Sequence, residues 1–564
     1  MRMGVPGRRC ARSFRCGSAE HACRFRPARA RGVPRRGGRT DHGRTGVARA
    51  GAVPVSDRTT EGGASSRRPG RAVITNPLDV TSRSPEILAL DLGTSSVKCA
   101  AYGLPDVILR GEIVRAPIVL RCAAPGEATL DPLELRDAVE RAVLAAAADT
   151  SGSFAAIGIS CFWHSLMGVD RAGEPVTPVI TWADARAAGE AERLREEMDQ
   201  GRVRALTGCP VHGVYWPAKL RWLQRAHPEW CARVWRWMSA AEWVARTLLG
   251  DAWRCGISMA SGTGLLDRAS GEWSLEMLGL AGIGPEALNP IDDTPGRVGG
   301  ALAVRNSRLR GVPLFAAIGD GAAGTVGSGA DRSGLLAVNL GTSAAVRRTI
   351  DRSAPGPEAG WFDYWIDTDR RVIGAAVSNA GNAVREAGRC FGVSQEDLVR
   401  RLSSDPLPHP ALVALPGVVR ERAPGFPALE AGGAILGVRP DTDGADLVLA
   451  TIDGVLERIA RLIARLDPGG CEVPVLSGGL SRLQGIGQRM ADLLGRSVGV
   501  AREPEASLRG AAVQAARGLG VGFAERSQPE WFSPHREREA VWNAYRERVF
   551  RLESAMGDNA NPRG

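Results

Sequence analysis

A short motif occurs twice in this chain of 564 residues, starting at Leu88 and again at Leu336. Each copy is an apolar run of strand length, followed by a Gly-Thr-Ser turn and a second apolar run. Glycine lets the backbone come close to a ligand, and the hydroxyl and N–H groups of such a turn can surround an anion. The copies predict two similar lobes, each with a phosphate-binding loop facing one nucleotide cleft. They read Leu88-Ala89-Leu90-Asp91-Leu92-Gly93-Thr94-Ser95-Ser96-Val97-Lys98 and Leu336-Ala337-Val338-Asn339-Leu340-Gly341-Thr342-Ser343.

Charge is distributed unevenly along the chain. Residues 1–84 contain 19 arginines and five acidic residues, a local charge of +14, so the rest of the chain is mildly acidic although the whole carries +10. A nucleic-acid partner is therefore not expected for the folded body. No run approaches the ~20 apolar residues of a membrane span, so no membrane partner is expected either. The eleven cysteines form no CxxC pair, which favours a reducing, cytoplasmic location.

The arginine-rich segment 1–84 has almost no apolar periodicity and is predicted to be a disordered extension. Three other interpretations stay open: an organelle transit peptide, a basic arm that binds nucleic acid, and an upstream stretch that precedes the true start of the protein. A secretory or twin-arginine signal is not expected, because no apolar segment follows Arg8-Arg9.

Strand and helix patterns alternate through the remainder, which predicts an α/β fold with covered sheets. Asp131, Pro132 and Glu134 have the residue types of a helix N-terminus, so a helix is expected to about Ala148. A 3.6-residue period predicts a second helix that stops before Pro468, and the strand from Val473 then leads into Gly478-Gly479. We expect an N-terminal lobe at 85–333, a C-terminal nucleotide-binding lobe at 334–545 and a tail at 546–564.

Two aspartates have the sequence context that phosphoryl transfer requires. Asp91 ends a predicted strand beside the first turn, where it can face Mg²⁺. Asp320 follows another buried strand and precedes a run of tiny residues, so that a substrate can approach it closely. A carboxylate in that place can take the proton of an alcohol as the alcohol attacks a phosphate. Asp320 is therefore the predicted catalytic base and Asp91 the predicted metal ligand.

These motifs, in this order, resemble those of the FGGY carbohydrate kinases over roughly residues 86–545, and most of all those of the gluconate kinases within that family. The resemblance implies a two-lobed actin/hexokinase-like (ribonuclease H-like) ATPase fold with an interlobe cleft that closes over its substrates. It also implies ATP and Mg²⁺ as cofactors, and it allows a homodimer. The residues expected to bind the nucleotide are Gly93, Thr94, Ser95, Lys98, Gly341, Thr342, Gly381, Gly478 and Gly479.

The sugar-binding residues are expected in two further segments, Trp163-His164-Ser165 and Thr181-Trp182-Ala183-Asp184-Ala185-Arg186. His164 and Asp184 offer a donor and an acceptor to hydroxyl groups, and Trp182 offers a flat wall. An acidic sugar also needs a cation, for which Arg186, Lys219 and His212 are equal candidates. Gly321 departs from the family pattern, since an Asn or Gln is common there, and the departure removes a hydrogen-bonding side chain from the catalytic segment.

The resemblance implies ATP-dependent phosphorylation of a terminal hydroxyl of a small-molecule sugar acid, with D-gluconate converted to 6-phospho-D-gluconate. Two alternatives stay open. The first is a kinase of xylulose or of another pentulose or polyol, which the Thr181–Arg186 segment disfavours. The second is an ATP-binding regulator without catalytic activity, which the presence of Asp91 and Asp320 disfavours.

Overall fold

The computed structural model of the chain describes residues 84–250, 254–357, 360–404, 407–419, 421, 426, 432–522 and 528–559. All of them lie in one compact unit, Ala72–Gly564. The predicted extension 1–84 lies outside the described residues, apart from Ser84.

The first half of the described chain is an α/β lobe. Its strands are β1 Glu86–Leu92, β2 Ser96–Gly103, β3 Ile108–Pro117, β4 Thr129–Leu130, β5 Phe154–Cys161, β6 Met167–Val169, β7 Val179–Ile180, β8 Arg236–Met238, β9 Leu266–Asp267, β10 Glu272–Trp273, β11 Gly296–Arg297, β12 Pro313–Leu314 and β13 Ile318–Gly319. Its helices are α1 Pro132–Ala148, α2 Ala188–Glu197, α3 Gln200–Thr207, α4 Trp216–Ala226, α5 Pro228–Cys231, α6 Ala240–Leu249, α7 Ile257–Ser261, α8 Leu275–Ala281, α9 Gly300–Arg305 and α10 Asp320–Gly327.

The second half forms another α/β lobe around its own sheet. Its strands are β14 Leu335–Leu340, β15 Ala344–Asp351, β16 Phe362–Trp365, β17 Arg370–Val377, β18 Val413–Leu415, β19 Ala434–Leu436, β20 Val473–Ser477, β21 Val498–Val500 and β22 Glu530–Phe532. Its helices are α11 Gly381–Phe391, α12 Gln395–Ser404, α13 Gly444–Leu466, α14 Ile486–Leu494, α15 Ala506–Gly518 and α16 Glu539–Asn559.

The two main sheets share one topology. In the first the order is β11-β12-β5-β1-β2-β3, with β13 also paired to β5, and in the second it is β16-β17-β15-β14-β20-β21-β22. In each, the strand before the Gly-Thr-Ser turn pairs antiparallel with the next strand and parallel with a later one, β5 or β20. The duplicated motif therefore marks duplicated sheets, and the predicted two-lobed fold is confirmed.

Local sequence signals explain the helix boundaries. The Asp131 side chain accepts hydrogen bonds from the backbone N–H groups of Leu133 and Glu134, so the predicted start of α1 is confirmed. Helix α13 begins with a reciprocal capping box between Asp443 and Asp446. Its apolar face is buried in the core of the second lobe.

The packing of helix α15 differs from the expectation that residues 334–545 form the C-terminal lobe. It follows β21 of the second sheet, yet it packs on β1 and β5 of the first sheet and against α10. Gly158 on β5 permits this approach, because a Cβ atom there would overlap the carbonyl group of Ala511. Helix α15, which belongs to the second half of the chain, therefore completes the first lobe.

The helices of the described chain are all too short or too polar to cross a lipid bilayer. The described cysteines are free thiols, and four of them, Cys99, Cys161, Cys209 and Cys255, are buried.

Candidate active site

A cavity of about 250 Å³ lies between the lobes, and both halves of the chain supply its wall. The first half contributes aromatic and polar side chains together with Asp320. The second half contributes β14, β15 and the strands beside them. Its lining includes Trp163, His164, Trp182, His212, Tyr215, Asp320, Asn339, Ser343, Ala345, Arg347, Phe362 and Tyr364.

Asp320 lies at the wall of this cavity, where β13 ends and α10 begins. One carboxylate oxygen, Oδ1, accepts a hydrogen bond from the backbone N–H of Gly321 at 2.8 Å. Burial raises the pKa of Asp320, the guanidinium of Arg347 lowers it, and the charge of Asp91 raises it. A raised pKa makes the carboxylate a stronger base, which suits the predicted role of Asp320.

Asp91, at the end of β1, is 7% exposed. Its Oδ1 accepts a hydrogen bond from the Ser160 hydroxyl at 2.9 Å, and its Oδ2 lies 3.5 Å from Lys98 Nζ. Burial raises the pKa of Asp91, while Lys98 and Ser160 lower it. The described residues contain no cluster of three or more side chains able to ligate a metal. One carboxylate fits Mg²⁺, which proteins commonly hold through one or two carboxylates and the phosphates of a substrate.

Lys98 has a second, closer partner. Its Nζ lies 2.7 Å from Glu505 Oε2, and Arg115 lies at 2.7 Å from the other oxygen of the same carboxylate. Glu505 immediately precedes α15, so these ion pairs join strands β2 and β3 of the first sheet to the helix that follows the second sheet.

The second Gly-Thr-Ser turn is held by two other predicted nucleotide residues. Gly381 N–H donates to the Gly341 carbonyl at 3.0 Å, and a Cβ atom at Gly381 would lie only 2.5 Å from that oxygen. Gly478 has a φ of +91°, and a Cβ there would lie 2.8 Å from the Leu340 carbonyl. A Cβ at Gly479 would meet open space. The first turn is closed by a bond from Gly93 N–H to Ser96 O at 3.1 Å, with Thr94 and Ser95 between them.

His164 and Trp182 line the cavity, as the sequence predicts for sugar-binding residues. His164 has a φ of +66°, a left-handed conformation that is uncommon outside glycine. Its Nδ1 lies 2.6 Å from the carbonyl oxygen of Gly262. Because a carbonyl can only accept, Nδ1 must carry the proton and donate it, which makes Nε2 the acceptor in the neutral ring.

Asp184 and Arg186 are not among the residues that line the cavity. Asp184 is buried, and its Oδ2 lies 2.6 Å from Arg186 Nη2 and accepts from Ala128 N–H at 3.0 Å. The Arg186 guanidinium also stacks over the Trp222 ring at 4.5 Å. The structure therefore pairs these two side chains with each other and does not bring them to the cavity surface.

The three predicted candidates for a carboxylate-binding cation have different surroundings. Arg186 is paired with Asp184, and Lys219 is 1% exposed beneath the cavity. His212 alone of these three lines the cavity.

Sequence reasoning missed Arg347, Tyr215, Phe362 and Tyr364 as cavity residues. The hydroxyl groups of Tyr215 and Tyr364, one from each half of the chain, are 2.5 Å apart. Arg347 had a signal in the sequence, because it follows the second turn on a predicted strand at the spacing of Ser343 and Ala345. No sequence signal pointed to the two tyrosines, since they come together only in the folded chain.

Two matching sheets, each with a Gly-Thr-Ser turn after one strand, and a cavity between them define the actin/hexokinase-like class of ATP-using enzymes. The chain belongs to the FGGY family of carbohydrate kinases: its residues 86–327 match the N-terminal domain of that family and residues 336–519 the C-terminal domain. It is therefore a sugar kinase that uses ATP, and the predicted family is confirmed.

The relatives have more than one substrate. The chain is 26% identical to a gluconokinase of Bacillus licheniformis, over 76% of this chain and 86% of the relative. It is 29% identical to a xylulose kinase of Streptomyces rubiginosus, over 78% of this chain and 89% of the relative. Among solved structures, a gluconate kinase from Lactobacillus acidophilus matches with a TM-score of 0.77 at 23% identity, covering 84% of this chain and 98% of that one.

Proposed function

We propose that this enzyme transfers the γ-phosphoryl group of ATP to the terminal hydroxyl of D-gluconate, giving 6-phospho-D-gluconate and ADP. The observation that carries the proposal is the place of Asp320, a carboxylate with a raised pKa at the wall of the interlobe cavity. The gluconokinase relatives and the gluconate kinase motifs support the choice of substrate.

In this mechanism Asp320 accepts the proton of the terminal sugar hydroxyl, while the oxygen of that hydroxyl forms a bond to the γ-phosphorus. The bond from that phosphorus to the bridging oxygen of ADP breaks, and ADP leaves with the electron pair. His164 Nε2 accepts a hydrogen bond from a sugar hydroxyl, and Trp182 packs against the carbon chain. The aromatic side chains that line the cavity, here called the aromatic wall (Trp163, His164, Trp182, Tyr215, Phe362 and Tyr364), exclude water, which otherwise competes as acceptor of the phosphoryl group.

The two turns hold the phosphates in this proposal. Gly93, Thr94, Ser95 and Lys98 contact them from the first lobe, and Gly341 and Thr342 from the second. Gly381, Gly478 and Gly479 line the adenosine site. Asp91 would hold Mg²⁺, which would neutralise charge on the phosphate oxygens. The same proposal includes a soluble protein in the cytoplasm and allows a homodimer.

The test is ADP release from MgATP by the full-length chain with gluconate, xylulose, ribulose and glycerol as separate acceptors. We expect the highest kcat/KM with gluconate, and Asp320→Asn should lower kcat by at least about 100-fold. Asp137→Asn on the exposed face of α1 is the matched control and should retain full activity. Turnover with xylulose but not gluconate would refute the acidic substrate, and full activity of Asp320→Asn would refute the assignment of the base.

A further inference from the structure

The strands that lead into the two Gly-Thr-Ser turns end in corresponding residues. Asp91 and Asn339 each stand two residues before the glycine of their turn. Asp91 is opposite Ser160 of β5 and accepts a hydrogen bond from its hydroxyl at 2.9 Å. Asn339 is opposite Ser477 of β20 and donates to its Oγ from Nδ2 at 3.4 Å. Asn339 is therefore the counterpart in the second lobe of the predicted metal ligand, with an amide in place of a carboxylate.

The two counterparts differ in what they can reach. Asp91 is buried, and its carboxylate is engaged by Ser160 and Lys98. Asn339 is half-buried and lines the cavity. The amide nitrogen of an asparagine has two N–H groups, and the bond to Ser477 uses one of them. The second N–H of Asn339 is therefore an uncharged donor for a group bound in the cavity.

The face of the second sheet that carries Asn339 lies opposite the proposed base. Asn339 pairs with Ala345 of β15, and both residues line the cavity. Arg347 is two residues farther along β15 and therefore on the same face as Ala345. It reaches the first lobe, because a Cβ atom at Gly321, the residue after Asp320, would lie 2.7 Å from Arg347 Nη2. Asp320 and Asn339 thus face one cavity from the two lobes.

The chemistry of phosphoryl transfer determines what lies between these two side chains. Asp320 takes the proton of the attacking hydroxyl, and the oxygen of that hydroxyl bonds to the γ-phosphorus. The group beside the base is therefore the phosphoryl group, whose negative charge is spread over three oxygens. A donor without negative charge stabilises such a group, whereas a carboxylate repels it. An amide at position 339 meets this requirement, and an aspartate at that position would not.

We propose that Asn339 donates its second amide N–H to the γ-phosphoryl group of ATP and is a catalytic residue supplied by the second lobe. This rests on the proposed function, in which the cavity holds that group, but it is independent of which sugar accepts the group. The competing role for Asn339 is support of Mg²⁺, in which its Oδ1 would accept from a water molecule on the metal. The two roles predict opposite effects of a negative charge at position 339.

The test compares two ligands that differ by the terminal phosphoryl group: ADP, and the β,γ-imido analogue of ATP, which is not hydrolysed. Equilibrium binding to the full-length chain with excess Mg²⁺ is measured by titration calorimetry. In Asn339→Ala we expect the Kd of the analogue to rise by about 10- to 100-fold, while the Kd of ADP changes by less than about 2-fold. Asn339→Asp has nearly the shape of the wild type and should weaken the analogue at least as much, because its charge repels the phosphoryl oxygens.

The matched control is Asn306→Asp, since Asn306 caps a single helical turn outside the cavity lining and accepts from Arg308 N–H at 3.1 Å. It should leave both Kd values unchanged, and circular dichroism verifies that each variant is folded. Equal weakening of ADP and the analogue in both Asn339 variants would overturn the proposal. Tighter binding of the analogue by Asn339→Asp would also overturn it, because that result assigns position 339 to the metal.

Turnover separates this proposal from the proposed function. Selective weakening of the analogue in Asn339→Ala, together with a wild type that phosphorylates none of the tested sugars, would overturn the kinase reaction and leave the phosphate contact. Normal gluconate turnover by Asn339→Ala, with both Kd values unchanged, would overturn the contact and leave the kinase reaction.

Discussion

Lys219 shows how one residue can support the wall of the cavity without lining it. Its Nζ donates hydrogen bonds to the carbonyl oxygens of His164 at 2.6 Å and Thr181 at 2.8 Å. His164 lines the cavity in a left-handed conformation, and Thr181 immediately precedes Trp182, which also lines it. The buried ammonium group therefore joins the two segments that form the aromatic wall.

The pH dependence of stability should reveal this buried lysine. Burial lowers the pKa of Lys219 to about 7, Asp184 raises it and Arg186 lowers it, whereas an unfolded lysine titrates near 10.4. Between these values the unfolded chain binds more protons, so the contribution of Lys219 to stability increases as pH rises through that window. The unfolding free energy of wild type minus that of Lys219→Met should rise by up to about 1.4 kcal/mol per pH unit above pH 7 and stay flat below pH 6.

Urea unfolding at pH 6, 7, 8 and 9 measures this difference. The control is Arg202→Met, which removes an exposed cation paired with Glu276. Its unfolding free energy should change with pH in parallel with that of the wild type. Parallel curves for Lys219→Met would mean that Lys219 titrates as an ordinary lysine. A site role for the same residue predicts a higher KM for the sugar in Lys219→Met with an unchanged KM for ATP.

At the scale of elements, the run of tiny residues after Asp320 has a use that differs from the expected one. The sequence interpretation assigned it to close approach of the substrate. In the fold, these residues let α10 and α15 cross closely: a Cβ at Gly510 would overlap the carbonyl of Ala323, and one at Gly327 would overlap that of Ala506. Ser507 on α15 donates to the backbone carbonyl of Asp320 at 3.4 Å, so the crossing also holds the backbone of Asp320.

Substitution within this crossing should damage stability and activity together. Gly510→Ala should lower the unfolding free energy by about 1–3 kcal/mol, because the helices must separate, and should lower kcat by displacing Asp320. Gly324→Ala is the matched control on α10, since its Cβ would lie 3.6 Å from Ser507 Oγ, an ordinary contact. That variant should be as stable as wild type or slightly more so. Thermal unfolding and ADP release test both, and equal behaviour of the two variants contradicts the explanation.

The end of the chain also differs from expectation. A tail was expected at 546–564, but Glu539–Asn559 is the single helix α16, which continues across position 546. Trp542, Tyr545 and Val549 are buried in the core of the second lobe, and Arg461 pairs with Glu553 at 2.6 Å. The family resemblance ended near residue 545, whereas the packing of this helix extends beyond it.

At the scale of the whole molecule, a cluster of ion pairs joins the two lobes beside the cavity. Asp363 on β16 of the second lobe pairs with Arg371 and, at 2.6 Å, with Arg268 of the first lobe. Asp363 N–H also donates to the Gly208 carbonyl at 2.9 Å. These contacts hold the edge of the second sheet, which carries Phe362 and Tyr364, against the first lobe.

Removal of this carboxylate should weaken the whole molecule. Asp363→Asn leaves the buried guanidinium of Arg371 without its charged partner, so we expect a loss of about 3–5 kcal/mol in unfolding free energy. Glu276→Gln, which breaks the exposed pair with Arg202, should change it by less than about 1 kcal/mol. Urea titration of both variants measures the difference. A loss in Asp363→Asn no larger than that in Glu276→Gln contradicts a stabilising role for the cluster.

Sequence alone determined the features that depend on neighbours along the chain. The duplicated turns, the cap at Asp131 and the period of α13 are local patterns. The structure confirms them: the turns mark two sheets, Asp131 caps the start of a helix, and α13 is a buried helix. The family followed from several such patterns in order. Asp320 was singled out because a buried strand, a carboxylate and a helix start are also consecutive.

Tertiary structure decided everything that depends on residues distant in the chain. In the sequence, Lys219, Arg186 and His212 were equal candidates for a cation that binds a substrate carboxylate. In the fold, the first is buried, the second pairs with an aspartate, and the third lines the cavity. Arg347 lies beside Gly321 only because the second sheet brings β15 against α10. The physical reason is that charge, burial and contact are properties of the packed chain, and a linear pattern contains the residue types without their surroundings.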